Sequence, residues 1–79
     1  MIKTLNNGLP LFRAIRRLKG GMGPFTHVTV IVYSDCVVVM PGFRIGQEML
    51  IDPKHRQVIP HAEVSKSVYY DVIAEVLAE

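Results

Sequence analysis

His27, His55 and His61 are the residues of this chain best suited to acid–base work, because imidazole alone changes charge near neutral pH without strong perturbation. Such work needs two groups brought together, and the local sequence keeps these apart. His27 opens an apolar run, His55 sits in a turn after Asp52-Pro53-Lys54, and His61 follows Pro60. A sheet that brought His27 to His61 beside a lysine or arginine would make a small hydrolase or nuclease. A metal needs at least three converging ligands, and His55, His61 and Glu63 are the nearest set, at a spacing that matches no standard site. Cys36 heads an apolar run with no basic neighbour to lower its pKa, which reads as a buried structural thiol. Gly20, Gly21 and Gly23 make a glycine-rich loop, but they follow an expected helix, whereas a phosphate loop follows a strand and feeds a helix N-terminus. No catalytic residue, metal ligand or cofactor is assigned on these grounds, and an enzyme is not expected.

The segment Arg13-Ala14-Ile15-Arg16-Arg17-Leu18-Lys19 stands out by charge. At ~100° per residue Arg13, Arg16 and Arg17 share one side of a helix, opposite Leu11, Ala14, Ile15 and Leu18. Three arginines with Lys19 at the edge can dock on an acidic protein, or neutralise about three to five phosphates in weak, salt-sensitive nucleic-acid binding. Tyr33, Phe43, Tyr69 and Tyr70 lie elsewhere, so no stacking platform is interleaved with these charges. The expected partner-binding residues are Arg13, Arg16, Arg17 and Lys19 together with Gly21 and Met22 of the following loop. A protein partner is expected first, with nucleic acid as the alternative.

Those residues are expected to sit on a helix over Leu9 to Lys19, with Pro10 in its first turn, Asn7 or Gly8 as cap and Gly20-Gly21 as its end. Downstream, Thr26 to Tyr33 and Cys36 to Met40 read as two strands joined at Ser34-Asp35. Pro41-Gly42 suits the centre of a type II turn, and a third strand is expected from Phe43 to Ile51. After the turn at Asp52 to His55, Arg56 to Ile59 can return as a fourth. The last element, Ser65 to Ala78, repeats Val68, Val72, Ile73, Val76 and Leu77 at helical spacing, with Asp71, Glu75 and Glu79 on its outer side. The fold class is therefore α+β: an antiparallel meander of three or four strands flanked by an N-terminal basic helix and a C-terminal amphipathic helix. Leu11, Ile15, Leu18, Val30, Val32, Val38, Ile45, Ile51, Val72, Ile73 and Val76 should share one core. This order resembles that of the double-stranded RNA-binding domain, which carries a lysine cluster at the start of its last helix; here Ser65-Lys66-Ser67 supplies one lysine.

With 79 residues, the chain can build one core, so residues 1–79 form a single expected domain. At 49% hydrophobic and 20% charged residues it is too apolar for intrinsic disorder. No apolar run reaches the ~18 residues of a membrane span, and the first residues lack a signal-peptide pattern, which makes the cytoplasm the expected compartment. A lone cysteine forms no internal disulfide. The net charge of +2 hides an asymmetry: residues 1–27 hold Lys3, Arg13, Arg16, Arg17 and Lys19 and no acid, while the remainder holds four bases against seven acids. Apolar residues on both sides of the Val28–Met40 hairpin need a second cover, for which a symmetric homodimer is the expected solution. In size and charge style the chain resembles phage and mobile-element accessory proteins that block a host machine, including anti-CRISPR inhibitors. That resemblance implies a non-enzymatic binding protein that occupies a partner's surface.

Overall fold

Val28 to Val32 and Val37 to Val39 are rich in β-branched side chains, and in the computed structural model, which describes residues 8–18 and 24–78, they form the centre of an antiparallel sheet. Its strands are β1 (Phe12–Arg17), β2 (His27–Val32), β3 (Cys36–Ile45), β4 (Glu48–Ile51) and β5 (Gln57–Pro60). A 3-10 helix, His61–Lys66, and one α-helix, α1 (Tyr70–Leu77), complete the described chain. Strands β1, β2, β3 and β4 neighbour one another in that order, and β5 also pairs with β3.

β4 and β5 are two pieces of one edge row. β4 covers Gly42 to Ile45 and β5 covers Cys36 to Val39, both antiparallel to β3. The break between them falls opposite Pro41. Its carbonyl accepts from the Asp52 N–H at 3.2 Å, but proline has no N–H to return to the Asp52 carbonyl. That carbonyl accepts from the His55 N–H instead, at 3.1 Å, and closes the 3-10 turn Pro53–His55. Pro41-Gly42 therefore lies inside a strand and does not make the expected type II turn. The turn comes later, at Gly46, whose φ of 63° suits glycine, so the expected third strand is divided between the end of β3 and β4.

One side of the sheet holds the core. Ala14, Val28, Val30, Val32, Val37, Val39 and Ile59 meet Val64, Tyr69, Ile73 and Val76 from the C-terminal elements. Ile73 and Val76 are essentially inaccessible, and burying each such side chain contributes roughly 1.5–3 kcal/mol. The C-terminal helix is shorter than expected. Ser67 Oγ accepts from the Tyr69 N–H at 3.0 Å, a local bond that competes with helix and sets its start at Tyr70. Val68 is 72% exposed as a result, while Tyr69 is buried and Tyr70 sits at the rim.

The expected N-terminal helix is absent: residues 12–17 are an edge strand, so the two-helix fold class is corrected, among the described residues, to a five-stranded antiparallel sheet with one α-helix. The helical period of Leu11, Ala14, Ile15 and Leu18 competes with an alternation in which Ala14 and Arg13 face opposite ways. The strand wins because it pairs the open edge of β2 along its whole length, Phe12↔Val32 to Arg17↔His27, and places Ala14 in the core beside Val30. A helix of that length has marginal stability by itself, and tertiary pairing overrides it. Leu11 and Ile45, both expected in the core, are 69% and 62% exposed. Loss of the first helix also removes the order shared with double-stranded RNA-binding domains.

Candidate functional site: the basic edge strand

β1 closes one end of the sheet, and its hydrogen-bond phase decides what it shows to the outside. Leu18 N–H donates to the Thr26 carbonyl at 2.9 Å, and antiparallel pairs alternate between bonded and non-bonded. Arg16, Ala14 and Phe12 therefore bond toward β2, opposite Val28, Val30 and Val32. Arg13, Ile15 and Arg17 turn their N–H and C=O groups outward. No second strand pairs with this edge among the described residues. The Ile15 carbonyl on this edge accepts from the Arg16 guanidinium at 3.1 Å.

Side chains divide by the same alternation. Arg16 stays on the side of Ala14 and is half-buried, whereas Arg13 and Arg17 lie exposed on the outer side with half-buried Ile15 between them. Their cross-strand neighbours are Ile31, His27 and Thr29 respectively. The outer face continues through Met40, Val38 and Val58, and at its centre Val38 is as inaccessible as the valines of the core side. Thr29 is fully buried there, and among the described residues its Oγ1 has no hydrogen-bond partner, a cost of ~1–3 kcal/mol. Arg17 and Leu18, at the end of β1, line a cavity of about 100 Å³ together with Tyr69, Asp71, Val72 and Glu75.

Of the expected contact residues, Arg13, Arg16 and Arg17 are thus placed on β1, on two faces and not one, while Lys19, Gly21 and Met22 lie outside the described residues. His61 lies at the opposite end of β2 from His27 and His55. His55 lies edge-on to Phe25, with ring centroids 4.9 Å apart, just before β2 begins; His61 Nε2 donates to the Tyr33 carbonyl at 2.8 Å, just after β2 ends. β2 spans about 20 Å. A His27–His61 pair is ruled out by the same placement, as His27 is the first residue of β2. His27 Nδ1 is 2.9 Å from Thr26 Oγ1, a local contact. Among the described residues no group of three His, Cys, Asp or Glu side chains could hold a metal ion, and Cys36 is fully buried.

A feature not anticipated from the sequence is the ring cluster of Phe25, Phe43 and His55. Phe25 and Phe43 are 5.8 Å apart, and His55 Nδ1 donates to Asp52 Oδ2 at 2.9 Å. Asp52 Oδ1 accepts the Lys54 N–H at 3.0 Å, and this backbone bond, ahead of the His55 contact, holds the carboxyl below its usual range. Both carboxylate oxygens are thereby used in shaping the turn. The signal for it was the Asp-Pro dipeptide, a turn opener whose side chain bonds two residues on.

No helix among the described residues is long and apolar enough to cross a membrane. No family model matches the chain, and neither a curated protein nor a solved structure does.

Proposed function

We propose that this chain is a non-catalytic binding protein that occupies a partner's surface through β1, as an accessory or inhibitory protein does. The observation that supports this is the combination on one element of an open strand edge with outward Arg13 and Arg17. Edge strands invite pairing, and arginine carries binding energy at interfaces more often than most residues. The titratable groups give no competing focus, since His55 and His61 serve separate local contacts.

The test is charge reversal at the two outward arginines, Arg13→Glu and Arg17→Glu together. Surface changes of this kind shift stability by ~0.5 kcal/mol, whereas loss of arginine anchors costs ~2 kcal/mol or more in binding. The variant should keep its melting temperature and lose at least tenfold in affinity for the partner that the unaltered chain retains from a host lysate. Unchanged affinity would remove β1 from the contact. Retention of duplex DNA or RNA in place of protein, falling steeply with salt, would support the nucleic-acid reading instead.

A further inference from the structure

We infer that the outer edge of β1 is a docking site for an extended acidic segment of a partner protein, added to the sheet as a further strand. This rests on the reading of β1 as the contact element and names the chemistry that it recognises. The edge offers alternating donors and acceptors, from Arg13, Ile15 and Arg17, at the spacing of a β-ladder. A polypeptide answers both kinds of group. A phosphate backbone supplies acceptors alone and would leave the outward carbonyls of Arg13 and Arg17 without a donor. The Ile15 carbonyl, which already accepts from the Arg16 guanidinium, has a second lone pair for a partner N–H.

Charge selects which polypeptide. Arg13 and Arg17 stand on the same face, four residues and about 13 Å apart, with Ile15 midway. An added strand would set acids at two positions four apart opposite the arginines, and an apolar residue between them against Ile15, the pattern Glu-x-Val-x-Glu. That pattern reads the same in either direction, so it fits parallel or antiparallel addition. Opposite charges directly across a ladder contribute ~0.2–1 kcal/mol each, and like charges oppose pairing.

A second copy of this chain is disfavoured at the same edge by the same rule. In the register that centres two antiparallel β1 strands on Ile15, Arg13 stands against the other copy's Arg17, twice. The arginines therefore discourage self-pairing while leaving the edge open to an acidic strand, which is how edge strands commonly combine availability with restraint.

The experiment uses the full chain, a short fluorescent peptide containing Glu-Thr-Val-Thr-Glu, and the same peptide with both Glu replaced by Lys. The acidic peptide should bind, the lysine peptide should bind at least tenfold more weakly, and Arg13→Glu with Arg17→Glu should reverse that order. Ile15→Pro separates strand addition from plain charge attraction. The Ile15 N–H points away from β2, so proline there spares the β1–β2 ladder and removes the central outward donor. Its melting temperature should hold while peptide affinity falls about tenfold. A second measurement guards against misfolding: in the unaltered chain, bound peptide should slow hydrogen exchange at the Arg13, Ile15 and Arg17 amides. Charge dependence without amide protection and with full binding by Ile15→Pro would overturn strand addition yet leave the arginine contact standing. Failure of the acidic peptide with avid binding of duplex DNA, or self-association that Ile15→Pro abolishes, would overturn the choice of occupant.

Discussion

Asp52 shows how much one side chain can organise when the backbone leaves it work to do. Its two oxygens take the Lys54 N–H and His55 Nδ1, and its own carbonyl takes the His55 N–H that a ladder partner at position 41 would otherwise replace. The carboxylate contacts hold its pKa below the ordinary range, the Lys54 N–H bond being the largest cause and the His55 contact a smaller one. A carboxyl whose pKa is lower folded than unfolded contributes stability that is present above the unfolded value and lost as pH falls through the folded one. The melting temperature should therefore decline on acidification across that window. Asp52→Asn keeps an acceptor for the Lys54 N–H but no charge, so it should lower the melting temperature near neutral pH and flatten that decline. An acid limb identical in both proteins would show that other carboxylates govern it.

At the scale of elements, β3 is the decisive strand, because it serves β2 on one edge and both β4 and β5 on the other. Gly42 marks the point where this arrangement is tightest. A Cβ there would run into the carbonyl oxygen of Leu50, with the Ile51 Cα 3.0 Å away, and both obstacles are backbone atoms that cannot rotate aside. Gly42→Ala should therefore cost about 2–4 kcal/mol and release β4 before the rest of the sheet. Chemical denaturation gives the energy, and hydrogen exchange at Met49 to Ile51 tests the location. A loss below about 0.5 kcal/mol would mean that β4 shifts freely. Release of the Phe25, Phe43 and His55 cluster should follow, since Phe43 pairs with Leu50 across the same rung.

For the molecule as a whole, one core ties sheet and helix together. Ile73 is fully buried in the cluster that also holds residues of β1, β2, β3 and β5, so separation of helix from sheet exposes it. Ile73→Ala should cost ~2–5 kcal/mol, a large fraction of what a domain of this size possesses. Far-UV dichroism and amide exchange in β2 should report the same loss in a single transition. A variant that frays α1 while β2 stays fully protected would show that the sheet is stable without its helix.

Period and turn chemistry in the sequence determined the β2–β3 hairpin, the turn at Asp52 to His55, the short return strand and the closing helix with Ile73 and Val76 inward. Those features rest on interactions within a few residues or on an unambiguous alternation of valines. The state of residues 12–17 was decided by tertiary structure alone. Ala14 and Ile15 satisfy both a helical and an alternating pattern, and only the open edge of β2, which lies across a loop, makes the strand the lower-energy choice. The passage of β3 through Pro41-Gly42 was decided in the same way, because a proline and glycine that favour a turn locally were overruled by strands bonded on both sides. With the strand came the outward edge and the split of the arginines over two faces. The residues of the candidate contact could thus be named from charge, while its geometry followed from backbone groups that find their partners only in the assembled sheet.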